Sequence, residues 1–351
     1  MKRAAMVIMA AALAVGACSA SPERVAQRSL PSPAPKPPKP SKITGAWRVI
    51  PDAGKGRAYL SGITAGGPRN VWAVGSWKNS GVGFLEHWDG ARWSVTPVPK
   101  GQTGWNGVSA PSAKDVWLTG NTGKDSSAFN VAHWDGQTWR TWTLDKTSAG
   151  AGCCAVSALS AADVWVTDNF TLQRWDGHMW TKTWSSPKGD VNALAAGSHD
   201  DVWAVGNSLL QHWDGSVWKS AKADGFKLTA VTAQSKTDAW ATGVDSASVP
   251  VALRWNGSTW TRVTSPLKAA LPVALAQDGA GHVWIASTNA GNTAGFPQLA
   301  GWEGTGWSMV AYPRPLGRDD AIVGLAALPG STAVLAATRA GSIEAYGTLP
   351  R

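Results

Sequence analysis

Cysteine is scarce, with 3 in 351 residues. That excludes a disulfide-built scaffold and a zinc module of paired cysteines. Tyrosine (3) and phenylalanine (5) are few, and the only glutamates are Glu23, Glu86, Glu303 and Glu344. A glycosidase needs two carboxylates flanking a bound sugar. Asp190, Asp224, Asp319 and Asp320 are left for such a pair, and in loops they read first as solvated turn residues. The six histidines show no Ser-His-Asp or metal-ligand spacing. No apolar run is long enough for a permanent transmembrane helix, which needs about 20 residues. What is abundant is tryptophan, 23 in all, with 39 Gly and 21 Pro; 44% hydrophobic and 16% charged residues describe a chain that folds.

The N-terminus reads as an address. Lys2 and Arg3 precede an apolar run, Ala4 to Ala17, as in a secretory signal. Val15-Gly16-Ala17-Cys18 resembles a bacterial lipobox, so Cys18 is the expected lipidation site and residues 1–17 the signal peptide. An acyl chain there would hold the protein on the extracellular face of the cell membrane. Residues 18–42 are proline-rich and lack apolar periodicity, which suits a polyproline II-like linker. Lys2, Arg3, Arg24, Arg28, Lys36, Lys39 and Lys42 stand against Glu23 alone, so most of the +9 net charge lies ahead of residue 43. That distribution suits an anionic membrane surface and argues against a nucleic-acid partner, which would require the excess on the folded domain.

From residue 43 onward the chain is a repeat. One signature is Trp-Asp-Gly-x-x-Trp, at Trp88–Trp93, Trp134–Trp139, Trp175–Trp180 and Trp213–Trp218, with looser copies at Trp255–Trp260 and Trp302–Trp307. A second is Asp-Val-Trp or a close variant, ending at Trp72, Trp117, Trp165, Trp203, Trp240 and Trp284, with Thr332-Ala333-Val334 as a degenerate seventh. The spacing is about 43 residues, the length of a four-stranded propeller blade. Asp-Gly between two strands suits a two-residue type I′ turn, which would pair Trp88 with Ala91 and Glu86 with Trp93. The last repeat lacks its outermost strand, while Gly45–Val49 is a strand of that type with no repeat before it. The expectation is an all-β, seven-bladed β-propeller over residues 43–351, closed by the N-terminal strand completing the last blade, and monomeric.

These repeats resemble bacterial secreted propellers of the broad kelch, galactose-oxidase-like and Asp-box (sialidase-type) group. The Asp-box hairpin is one residue longer, and its Ser/Thr is replaced here by His87, His133, Arg174, His212, Arg254 or Gly301. A sialidase of that group would imply an arginine cluster and a tyrosine nucleophile, and Tyr59, Tyr312 and Tyr346 form no such set. The blades also resemble those of pyrroloquinoline-quinone dehydrogenases, which share an adjacent cysteine pair, but their calcium-binding acids have no counterpart. No cofactor, metal or catalytic residue is assigned.

Candidate ligand-binding residues lie where the outermost strand of one blade leads to the innermost strand of the next. Lys55, Arg57, Arg318 and Asp319 are among the charged residues there. Trp105 stands outside both signatures beside Asn106, and reads either as an exposed ring that stacks on a sugar or as a plug in the central channel. Cys153 and Cys154 enter the innermost strand of blade 3 as buried thiols or as a strained vicinal disulfide. The function expected is non-catalytic binding of a glycan or protein on the top face. A secreted glycan-acting hydrolase or lyase, or a protein–protein scaffold, is the alternative. Replacing Cys18 with Ser is expected to release the protein into the medium or leave it unprocessed, as read by fractionation and intact mass. Membrane retention of a processed C18S protein would refute the lipid anchor.

Overall fold

The computed structural model describes residues 42–349, apart from 52, 101–102, 122–127, 146–153, 187–190, 269, 279, 289–295 and 318–319. The expectations for the signal peptide, Cys18, nearly all of the linker, Cys153, Arg318 and Asp319 therefore fall outside the described residues.

Seven antiparallel sheets of four strands make up the fold, and no helix forms among the described residues. Blade 1 runs outward through Ala58–Gly67, Asn70–Trp77, Gly83–Trp88 and Trp93–Val95. The innermost strands of blades 2 to 6 begin at Gly107, Ala155, Val191, Phe226 and Pro272. Each innermost strand packs on the next, and that of blade 7, Ile322–Ala327, packs back on blade 1. The ring is a closed β-propeller. Blade 7 takes its outermost strand, Trp47–Ile50, from the other end of the chain, pairing Trp47 with Tyr346 and Ile50 with Ile343. This strand closes the ring as the sequence predicts, and covers what would be an unpaired edge.

The hairpin at Trp-Asp-Gly is a four-residue loop, not the expected two-residue turn. Trp88 pairs directly with Trp93, and Glu86 with Val95. The cause is the aspartate. Asp89 Oδ1 accepts the N–H groups of Ala91 and Arg92 at 2.8 and 2.9 Å, folding the loop around its own side chain. Gly90 alone takes a left-handed φ, 100°. The same pair of bonds recurs at Asp135, Asp176, Asp214 and Asn256. In consequence the two tryptophans of each hairpin stand opposite one another, with ring centroids 5.3 to 5.9 Å apart.

That pair forms one side of the joint between blades. Trp203 of blade 4 lies 5.1 and 5.0 Å from Trp255 and Trp260 of blade 5. Its other face stacks on His212 of its own blade at 4.0 Å. Trp165 meets Trp213 and Trp218 in the same way, and Trp240 meets Trp302 and Trp307. Apolar clusters line the contacts between neighbouring blades, so the core is distributed around the ring.

Blade 6 departs from the pattern. Gly301 stands where His or Arg stacks in five other blades, and Ile43 takes the empty place. A Cβ on Gly301 would fall 2.0 Å from Ile43 Cδ1 and 3.4 Å from the Trp284 ring. Ile43 N–H also donates to Glu303 Oε1 at 2.7 Å. The segment before the closing strand is therefore anchored on blade 6. Deleting residues 43–50 should cost several kcal/mol, because a strand and a packed tryptophan are lost together. Ile43→Ala should cost about 1–2 kcal/mol, since the side chain is half-buried. Unchanged thermal melting of both proteins would refute this account of closure.

Candidate functional site

The innermost strands shape the mouth of the ring. In blades 1, 4, 5, 6 and 7 the strand ladder skips one residue near its start: Ser61, Asn192, Thr229, Val273 and Val323. Such a bulge turns the skipped residue out of the sheet pattern. Together with Asn106 and Cys154 these residues line a central cavity of about 350 Å³. Its rim is polar along blades 1 to 5 and aliphatic at blades 6 and 7, where Val273 and Val323 stand.

The aliphatic side opens into a groove of about 630 Å³ on the top face, formed by the loops from outermost to next innermost strand and from second to third strand. Val273 and Thr288 of blade 6 line one wall, and Tyr59, Leu60 and Ser61 of blade 1 the other. Ala321, Ile322, Val323 and Arg339 of blade 7 lie between. Tyr59 is 48% exposed, and Arg339 is exposed. The Lys78 ammonium sits 5.1 Å over the Tyr59 ring, held by the carbonyls of Gly56 and Ala340 at 2.6 and 2.9 Å. Lys78 thus ties blade 1 to blade 7 and covers one face of the tyrosine. Nearby, Leu271 and Phe296 of blade 6 expose apolar side chains, Phe296 to 61%.

The loops that frame this groove are pinned from below by polar residues of the third strands. Gln298 exchanges two 2.7 Å bonds with the backbone of Lys268. Glu344, fully buried, accepts from Tyr312 Oη and from Arg314 Nε at 3.0 Å. Glu86, equally buried, accepts Ala53 N–H at 2.8 Å. Burial and the adjacent Glu344 carboxylate push the Tyr312 phenol far up, so it remains a donor throughout the working pH range. Asp320 accepts the N–H groups of Ala321 and Ala340 at 2.9 and 2.8 Å. Among the described residues, the carboxylates beneath and beside the groove therefore have structural bonds to hold.

The candidate residues named from sequence do not converge on this groove. Trp105 is 1% exposed and packs with Trp72, Val74, Leu85 and Leu118 between blades 1 and 2. It is neither an exposed stacking ring nor a plug in the channel, because its backbone N–H bonds to Gly75 O and draws the ring into the joint. Asn106 and Cys154 line the channel. Cys154 is buried and disulfide-bonded, so the free-thiol alternative fails for it; the cysteine it pairs with lies outside the described residues. Lys55 and Arg57 are exposed in the loop leading to Tyr59, outside the groove lining. Tyr59, Thr288 and Arg339 were not singled out. The available signal was an aromatic at Tyr59 where other blades carry Gly104, Lys227, Leu271 and Ala321.

The repeat histidines serve the opposite face. His133 Nε2 and Trp117 Nε1 both bond Asp115 Oδ1, at 2.9 and 2.8 Å, and the two rings stack at 4.0 Å. His212, Trp203 and Asp201 repeat the arrangement. Arg174 and Arg254 lie over Trp165 and Trp240 in its place. In blade 1 the aspartate is Asn70, which accepts from Trp72 Nε1 but leaves His87 Nε2 buried without a partner.

No protein-family model and no curated protein matches the sequence. Solved structures do. YCF48 bound to D1 peptide aligns with a TM-score of 0.60 at 17% identity, over 91% of this chain and 100% of its own. A chain in the crystal structure of the mitotic checkpoint complex aligns at 0.61 and 14%, over 97% and 99%. The GH74 xyloglucanase from Xanthomonas campestris aligns at 0.61 and 13%, over 85% of this chain and 53% of that one, so this protein spans about half the enzyme's length. At such identities the likeness is one of fold, which agrees with the seven-bladed architecture.

The His87 site yields a pH prediction. Burial holds its pKa below 6.5, with Asp89 opposing the shift less strongly. The native state then binds fewer protons than the unfolded chain as pH falls through 6.5, so stability is lost below that pH until the folded-state pKa is passed. Asn70→Asp would recreate the blade 2 arrangement, raise the His87 pKa, and reduce this loss. NMR titration of His87 and denaturation at pH 7.5 and 5.0 test it. An unmoved His87 titration would refute the assignment.

Proposed function

We propose that this protein is a non-catalytic binding module that takes a protein partner in the top-face groove across blades 6, 7 and 1. In this reading a lipid on Cys18 tethers it to the extracellular face of a bacterial membrane, with the proline-rich linker as a stalk. The observation that carries the binding function is the groove itself. Its lining is aliphatic and main-chain, with Tyr59, Ser61, Thr288 and Arg339 as the polar side chains. An extended peptide is recognised by such a lining, through backbone bonds and pockets for alternate side chains. Sugar recognition is supported less, because the groove is lined by no tryptophan, amide or carboxylate side chain among the described residues. Catalysis is likewise supported less, because Glu344, Asp320 and Glu86 are engaged in holding loops. YCF48 with its bound D1 peptide shows that the fold accommodates a peptide, though fold alone does not transfer a ligand.

The soluble propeller from residue 43, which contains every strand of the ring, should retain a cell-surface protein from an envelope extract. Affinity for the purified partner should fall about tenfold or more in Tyr59→Ala and in Arg339→Ala, with unchanged thermal melting. Partner binding at wild-type affinity in both variants would place the site elsewhere. Binding on a glycan array, with no protein retained, would replace the protein reading with a glycan one.

A further inference from the structure

We infer that the partner segment is acidic and carries an apolar side chain for the groove, an inference that rests on the protein-binding reading above. The top loops of blades 6, 7 and 1 expose Lys55, Arg57, Lys78, Lys268 and Arg339. None of the five forms an ion pair with a carboxylate among the described residues. Lys78 is satisfied by carbonyls, and Lys268 is engaged through its backbone. Among the described residues of these loops, Asp320 is the one carboxylate, and it is already bonded to two backbone N–H groups and lies 4.0 Å from Arg314.

The bottom face, where exposed Arg69 and Lys114 likewise have no ion pair among the described residues, carries more such pairs. There bases meet acids: Arg174 and His199 with Asp163, Lys219 with Asp214, Lys236 with Asp200, and His212 with Asp201. Among the described residues, positive charge without an ion-pair partner is thus gathered around the groove, with exposed Leu271 and Phe296 beside it. Charge of one sign around a concave, low-dielectric surface attracts the opposite sign and raises the association rate. Val273 and Val323, half-buried on the floor of the groove, then call for an apolar side chain from the segment that lands there. A basic segment would be repelled, and a uniformly charged one would leave the floor unfilled.

Random twelve-residue peptides displayed on phage and selected on the 43–351 propeller test this inference. Enriched peptides should share a net negative charge and one aliphatic or aromatic position. Their affinity should fall at least tenfold in Arg339→Glu, and again between about 50 and 300 mM NaCl, as screening of exposed charge requires. Lys268→Glu is the second variant, and circular dichroism checks that both are folded. Enrichment of neutral or basic peptides that bind Arg339→Glu and Lys268→Glu like the wild type would overturn the acidic inference while leaving the binding-module reading intact. Failure to enrich any peptide would overturn both. Polygalacturonate retained by the same propeller in that case would assign the basic face to an acidic glycan.

Discussion

The sandwiched tryptophan of the second strand is the interaction on which the ring depends. In Trp203 one face stacks on His212 and the other meets Trp255 and Trp260 of the next blade. Rings thus join each of these sheets to its neighbour, beside a few backbone bonds such as Trp105 N–H to Gly75 O and Leu60 N–H to Arg339 O. Aromatic pairs in offset or edge-on contact add about 0.5–1.5 kcal/mol beyond area burial, and the joint recurs at Trp117, Trp165, Trp240 and Trp284. The hairpin aspartates matter for the same reason. By folding the loop around Oδ1 they set the two tryptophans of each pair opposite one another across the ladder, with their rings tilted. A tighter turn would offset them and change the surface offered to the preceding blade.

Closure reuses this joint with parts from both chain ends. Trp47 and Tyr346 replace a hairpin pair, with ring centroids 5.3 Å apart, and Tyr346 lies 5.4 Å from Trp284 of blade 6. Ile43 supplies, from a distant stretch of chain, the stacking group that Gly301 lacks. Blades 6, 7 and 1 are consequently the region where the repeat is least regular. The top-face groove lies across these same blades. Irregularity frees positions from the repeat, so Tyr59, Thr288 and Arg339 have no structural role that the other blades must also fill.

The two faces divide the work. The bottom carries the repeat chemistry of Asp, Trp and His or Arg, in which acids and bases meet one another. The top carries loops fixed by half-buried Gln298 and by the buried Glu344 and Glu86. A preorganised loop loses less conformational freedom when a partner binds. Pinning from below thus holds the loops around the groove in one arrangement.

The sequence alone determined the blade count, the strand order and the closing strand, because tryptophan spacing and turn residues are local signals repeated seven times. It put His87, His133 and His212 at one position of the repeat, and in the fold all three stack on tryptophan. Only the tertiary structure decided the rest. The register of the hairpins turned on where the Asp89 carboxylate bonds, which residue types do not reveal. The fate of Trp105 turned on a backbone bond to Gly75 in the neighbouring blade. The groove is assembled from Tyr59, Val273, Ile322 and Arg339, which lie as much as 280 residues apart in the chain and meet only because the ring closes between them. A contact made by closure has no local pattern along the chain, and so the groove became visible only in the folded ring.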